Sequence, residues 1–324
     1  MRGVAFCAGA FLHFGNVGIA SESQIMAIFA SDTQQVNLRS RAMGELRIVV
    51  LAKQVPDTRN VGKDAMKPDG TVNRGALPAI FNPEDLNALE QALRIKDQVA
   101  GARVTLLTMG PPRAAEIIRE GLYRGADDGV LLTDRAFAGS DTLATSYALA
   151  CTLRKLNPDM VICGRQAIDG DTAQVGPQVA QKLGWPQITY AEAIEYQNGV
   201  VTVRRRVERG VEVLRGKLPM VVTVNGSAPA CRSRHAKLLM QWKRAYAPSE
   251  GKPEGCSYAG PELTEWNTSL LEVDPPQLGL SGSPTKVKTV ENVVFQVKEA
   301  KRFEGNAKEV DTLVRELLTN HTIG

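Results

Sequence analysis

From Leu46 onward, short apolar runs alternate with segments of helical period, and that alternation restricts the chain to a mostly parallel sheet covered by helices on both faces. The runs Arg47 to Ala52, Arg103 to Thr108, Gly129 to Leu132 and Met160 to Cys163 read as strands. Helices are expected from Pro112 to Tyr123, from Ser140 to Leu156 and from Thr172 to Leu183. The clearest helix runs from Pro83 to about Val99. Asn82 stands at its N-cap, Pro83 at the first helical position, Glu84 and Asp85 in the first turn, and Leu86, Leu89 and Leu93 on one face.

After Trp185-Pro186 the period changes from helical to alternating, and Asn198-Gly199 sits between β-type residues, a strong hairpin signal. Val200 to Val207, Val211 to Leu214 and Met220 to Val224 then read as strands that complete the sheet. The fold class is therefore α/β, an open and mostly parallel twisted sheet with an added β-hairpin and an extended C-terminal arm. A compact domain is expected over residues 43–225. Residues 226–324 mix basic residues with Pro and Gly and have little core of their own, so they read as an arm closed by a helix from Lys308 to Leu318. The leucines of that helix need a surface, which a partner subunit or the same domain would supply. Residues 1–42 lack clean periodicity and carry two acidic groups, with Arg39 and Arg41 near their end. They read as an extension outside the fold, upstream of a natural start at Met43, with a targeting segment as the alternative.

Net charge of +4 with interspersed signs is too weak for a nucleic-acid binder, and Arg204-Arg205-Arg206 reads as a solvated strand face. No apolar run approaches the roughly 20 residues that span a bilayer, so membrane insertion is not expected. The 5 cysteines show no CxxC pairing, which argues against a disulfide framework, structural zinc or a four-cysteine cluster and fits a reducing cytoplasm. The 3 histidines, His13, His235 and His321, have no metal-ligand spacing. GxSxG and GxGxxG are both absent, and Gly210 with Gly216-Lys217 misses Walker A spacing.

One segment does carry chemistry. Cys163 to Pro177, CGRQAIDGDTAQVGP, lies between an apolar strand and a helix, where open α/β sheets bind nucleotides. Gly164, Gly170, Ala173 and Gly176 are small enough for a ligand to approach the backbone, and the unpaired amides of a helix start attract phosphate. Asp169 and Asp171 flank Gly170 and read as capping or ligand-bonding groups. A nucleotide-like loop without acid, base or nucleophile points to chemistry that belongs to a bound cofactor, with no catalytic side chain and no metal.

Four stretches, LAKQVPDT at Leu51 to Thr58, FNPEDLNALEQAL at Phe81 to Leu93, MGPP at Met109 to Pro112 and GRQAIDGDTAQVGP at Gly164 to Pro177, together resemble the beta subunit of electron transfer flavoprotein in order and spacing. The similarity runs from about Met43 to the C-terminus. It implies a flavodoxin-like or adenine-nucleotide-hydrolase-like domain paired with an alpha subunit that carries FAD. Carried over from the family, the nucleotide contacts fall on Leu51 and Ala52; on Asn82, Pro83, Glu84 and Asp85; on Met109; and on Ala167, Ile168, Asp169, Gly170, Asp171, Thr172, Ala173, Gln174, Val175, Gly176, Pro177 and Gln178.

The resemblance leaves two cofactors open. DGDTAQVGP and LGLSGSPTKV look like the flavin-bifurcating branch, in which a second FAD in the beta subunit takes hydride from NADH. Its electrons then go one to ferredoxin or flavodoxin and one, through the alpha-subunit FAD, to an acyl-CoA dehydrogenase-type enzyme. The alternative is a structural AMP. The chain departs from the family at Cys231 to His235 and at Gln241-Trp242, which bears on how a partner docks; Lys237, Lys243 and Arg244 would steer an acidic surface.

Overall fold

The computed structural model describes residues 46–57, 78–252, 260–285, 302–303 and 305–319; the expected extension 1–42 lies outside them. Five parallel strands form the centre of the sheet: β1 (Arg47–Leu51), β4 (Arg103–Met109), β5 (Asp128–Leu132), β6 (Met160–Gly164) and β10 (Met220–Val224). The remaining strands are β2 (Gln54–Pro56), β3 (Ala79–Phe81), β7 (Gln187–Gln197), β8 (Val200–Val207), β9 (Gly210–Lys217) and β11 (Thr264–Trp266). The main sheet runs β11-β5-β4-β1-β6-β10-β7-β8-β9, with β2 and β3 a separate antiparallel pair. From β1 the chain adds β4 and β5 on one side, then returns to place β6 on the other. The order therefore reverses between β1 and β6.

Every residue of β6 and β10 is buried, which accounts for their unbroken apolar sequences. Alternate residues feed two cores, as the two-residue period of a strand requires. Ile48, Val50, Leu106 and Ile162 face α1 (Pro83–Gln98) and α2 (Ala115–Arg124). Val49, Leu51, Leu107 and Val161 face α3 (Thr142–Leu156) and α4 (Val175–Leu183). Leu89 and Leu93 of α1 and Ile118 and Leu122 of α2 are fully buried, so truncating any of them to alanine costs roughly 2–5 kcal/mol. The hairpin turn is left-handed at both central residues, φ 51° at Asn198 and 79° at Gly199, matching the strand twist.

Position 225 is not a packing boundary. Ala228, Ala245, Ala247 and Leu263 enter the first core, and Leu271 and Leu278 the second. β11 adds in parallel to the free edge of β5. Arg232 anchors the crossing segment: its backbone N–H and Nε each donate to Glu90 Oε2 at 3.0 Å, and its Nη2 reaches Asp97 at 2.8 Å. Burial disfavours the Glu90 charge, but these bonds, with one from Arg94, hold its carboxyl below the usual range. The arm's buried residues are single and widely spaced, a pattern without a period, and they fill the faces of the main domain one side chain at a time instead of building a core of their own. It also contains α5 (Ala236–Trp242) and α6 (Ala307–Thr319), neither with a buried residue. Val310, Val314 and Leu318 form an exposed stripe on α6 at four-residue spacing.

Candidate functional site

A cleft of about 280 Å³ opens outside the C-terminal ends of β1 and β6. This is the crevice where strand order reverses, the usual ligand position in open α/β sheets. Three helices point their starts toward it, and they differ in what their first amides meet.

At α1 the first amides turn back on Asn82 O, and the two first-turn acids brace the strand ends and the loop. Asp85 accepts from Lys53 N–H and Gly164 N–H at 2.9 Å each, and Glu84 accepts from Gln166 N–H at 2.9 Å and from Arg165 at 3.0 Å. Asn82 spans the same junction, donating to Gln166 O at 2.9 Å and accepting from Ile168 N–H at 3.2 Å. It occupies the N-cap position without a side-chain capping bond, because its amide is spent on the neighbouring loop. Burial pushes the Asp85 carboxyl up to about 7, against the pull of the two amides it holds. Gly164 is required here: a Cβ would lie 2.4 Å from Asp85 Oδ1 and 2.8 Å from the Glu84 carbonyl carbon.

At α3 the start is capped by Asp141, which accepts from Leu143 and Ala144 N–H at 2.9 and 3.0 Å. At α4 the start is open. Its N-cap Gln174 makes no capping bond and instead accepts from the Thr142 hydroxyl at 2.8 Å. The backbone N–H groups of Thr172, Ala173, Val175 and Gly176 have no partner among the described residues. The helix expected from Thr172 begins at Val175, because Asp171 and Ala173 are left-handed, φ 48° and 52°. Such a conformation costs an alanine roughly 1–2 kcal/mol. The result is a run of amides facing a concavity at the positive end of a helix, the arrangement that binds phosphate. Gly176 lets α4 approach the sheet, since a Cβ there would lie 2.7 Å from Thr223 Cγ2 and 2.9 Å from Cys163 Sγ.

Among the described residues, the one cysteine that lines the cleft is not set up as a nucleophile. Burial, then the charge of Asp85, raises the Cys163 thiol above its ordinary range. Among the described residues, no group of three or more His, Cys, Asp and Glu could hold a metal ion, and no helix is long and apolar enough to cross a membrane.

A family model described as the electron transfer flavoprotein domain matches residues 69–243. The chain is 42% identical over 271 residues to electron transfer flavoprotein subunit beta of Clostridium acetobutylicum, covering 84% of this chain and 94% of the relative. It is 43% identical over 288 residues to acryloyl-CoA reductase electron transfer subunit gamma of Anaerotignum propionicum, covering 86% and 100%. It is 44% identical over 243 residues to caffeyl-CoA reductase-Etf complex subunit CarD of Acetobacterium woodii, covering 75% and 86%. The chain belongs to the electron transfer flavoprotein beta-subunit family.

Of the residues proposed from the sequence, the structure brings together Leu51, Ala52, Asp85, Met109, Ala167, Gly170, Asp171, Thr172, Ala173, Gln174, Val175 and Gly176 in the cleft lining. Asn82, Pro83, Glu84, Ile168, Asp169, Pro177 and Gln178 are not among the lining residues. Asn82 and Glu84 instead brace the loop from behind, and Asp169 pairs with Lys53. At the α1 start expected from Asn82-Pro83, the Asp85 and Leu86 N–H groups donate to Asn82 O at 3.1 Å each, and the Glu84 and Asp85 carboxyls reach out to the neighbouring strand ends and loop. Sequence reading misses Lys53, Leu107, Ser140, Asp141, Thr142, Thr145, Leu149, Arg165 and Gln166, and leaves Cys163 and Gly164 out of the contact set. The α3 start has a usable signal, Asp141 ahead of a helical run; Lys53 and Arg165 have none beyond adjacency to strand ends.

Proposed function

We propose that the cleft holds the adenine nucleotide portion of FAD, and that the chain works in the cytoplasm as a heterodimer with an electron transfer flavoprotein alpha subunit. The pair takes electrons from NADH and divides them between a low-potential acceptor such as ferredoxin or flavodoxin and an acyl-CoA dehydrogenase-type partner. The observation that carries this reading is the unpaired amide run from Thr172 to Gly176 at the uncapped start of α4. These amides, and the close approach that Gly176 permits, suit a phosphate group. FAD, when bound, supplies the hydride acceptance and one-electron transfer that no side chain here is equipped to perform. The protein's part is to bind the nucleotide, fix its orientation through Gln166 to Gly176, and bury its inner end against Leu51, Leu107 and Leu149.

The names of two relatives, an acryloyl-CoA reductase subunit and a caffeyl-CoA reductase complex subunit, support an acyl-CoA enzyme as partner class. The stripe Val310, Val314 and Leu318 on α6 is the surface we assign to the alpha subunit.

The second reading is a structural AMP, with electrons passing only through the alpha-subunit FAD. The cleft volume favours it: about 280 Å³ is at the small end of ligand sites, roughly 300–1,000 Å³, and suits a nucleotide better than a whole dinucleotide. The flavin ring of FAD would extend beyond this chain. Cofactor analysis of the co-expressed pair separates the readings. Two flavins per heterodimer, reduced by NADH, support the first; one flavin with AMP released on denaturation supports the second; no adenine nucleotide beyond the alpha-subunit FAD removes both.

A further inference from the structure

Among the described residues two cations line the cleft, Lys53 and Arg165, and they are held differently. Arg165 is fixed along its length: the backbone N–H donates to Val224 O at 2.8 Å, the guanidinium bonds Glu84 at 3.0 Å, and it lies 5.7 Å from the centroid of the Tyr190 ring. Lys53 is fixed only at its backbone, where the N–H donates to Asp85 and the carbonyl accepts from Asn82 N–H at 3.0 Å. Its side chain is 51% exposed, and the ammonium donates to both Asp169 oxygens at 2.8 Å each. Lys53 lines the cleft and Asp169 does not, so the pair joins a cleft residue to one outside its lining.

The loop that carries Asp169 does not depend on this pair. Bonds to Asn82 at Gln166 O and Ile168 N–H, from Gln166 N–H to Glu84, and from Gln166 Nε2 to Asp171 at 2.9 Å hold it independently. Meanwhile the Asp169 carboxylate offers the ammonium what a phosphate offers: negative charge and two oxygens side by side. An exposed ion pair is worth little, whereas an ammonium bonded to phosphate in a cleft makes a stronger, charge-assisted contact.

We propose that Asp169 is a placeholder for the ligand phosphate: Lys53 pairs with Asp169 before nucleotide binds and exchanges it for the phosphate of an incoming adenine nucleotide. Lys53 is then a phosphate ligand, and Asp169 is an intramolecular competitor that weakens nucleotide affinity. This deepens the nucleotide reading of the cleft and rests on it. A merely structural latch would make both residues favourable to binding; the placeholder gives them opposite signs.

The test is calorimetric titration of the full chain, freed of bound nucleotide, with ADP and with adenosine. Adenosine shares the base and sugar but lacks the phosphates. Lys53→Gln is expected to weaken ADP binding about tenfold and leave adenosine unchanged. Asp169→Asn is expected to tighten ADP binding roughly threefold, again leaving adenosine unchanged, and Asp169→Ala to do the same. The double variant should match Lys53→Gln, because a competitor has no effect once its cation is gone. Weaker ADP binding by both aspartate variants, or a lysine effect equal for ADP and adenosine, overturns the placeholder while sparing the site. A wild-type chain that binds neither compound overturns the site reading itself.

Discussion

Gly164 closes the end of β6 against the first turn of α1, and Gly164→Ala puts a methyl group where the protein has no room. The added Cβ would lie 2.4 Å from Asp85 Oδ1, 2.8 Å from the Glu84 carbonyl carbon and 2.9 Å from the Asp85 backbone nitrogen. Two of those three atoms are main chain, so rotating a side chain cannot relieve the contact. Either α1 moves, at an overpacking cost of about 1–3 kcal/mol, or Asp85 moves and loses its bonds to Lys53 and Gly164 N–H. At about 0.5–1.5 kcal/mol per hydrogen bond, losing both costs about 1–3 kcal/mol. Alanine recovers about 0.4–1 kcal/mol through the unfolded chain. The cheaper route decides, so the net expectation is a loss of about 1–2 kcal/mol. At a urea slope of about 2 kcal/mol/M, the unfolding midpoint falls by roughly 0.5–1 M. Gly170→Ala is the control: its Cβ would meet no heavy atom within 4 Å, so its midpoint should hardly move. A Gly164→Ala midpoint equal to wild type, or equal losses at both glycines, would refute the packing argument.

Three further outcomes follow from the same geometry. The Asp85 carboxyl is raised from its ordinary 3.8 to about 7 in the fold, so its protonated form is the favoured folded form, and its contribution is lost as pH rises between about 4 and 7. The stability of wild type relative to Asp85→Asn should therefore fall across that window, by at most about 4 kcal/mol, in urea titrations at several pH values; a difference that rises with pH contradicts it. Comparing against the variant cancels Glu90 and Glu192, whose depressed carboxyls act in the opposite sense. Ala173→Gly removes left-handed strain from the loop and should stabilise the chain by about 0.5–1 kcal/mol net of glycine's backbone entropy, read from the same midpoint. Gly170→Trp should abolish nucleotide occupancy while leaving the melting temperature unchanged, because position 170 lines the cleft and faces no protein atom; retained occupancy would mean the loop does not cover the ligand.

The central strands were legible as short unbroken apolar runs covered on both faces, and α1 by its helical spacing of Leu86, Leu89 and Leu93. The hairpin was legible from Asn198-Gly199, whose positive φ values few other residue pairs accept. The partners of the first-turn acids of α1 were not. Glu84 and Asp85 read correctly as first-turn acids, but their partners lie at Lys53 and Gly164 to Gln166, and nothing local to α1 names them. The same limit hid the Lys53–Asp169 pair, 116 residues apart, and the return of β11 to the edge of β5. Small residues in the loop pointed to the ligand cleft; that Asp171 and Ala173 would turn left-handed and delay α4 to Val175 did not follow from a sequence with no glycine at either position.

Backbone amide hydrogen exchange at Thr172 to Gly176, with and without saturating ADP, reports most directly on the amides assigned to phosphate. They should exchange fast in the nucleotide-free chain, where they have no partner among the described residues, and slow at least about tenfold with ADP, while the start of α1, where Asp85 and Leu86 N–H donate to Asn82 O, stays unchanged. Protection that appears at Asn82 to Leu86 and leaves Thr172 to Gly176 untouched would contradict it.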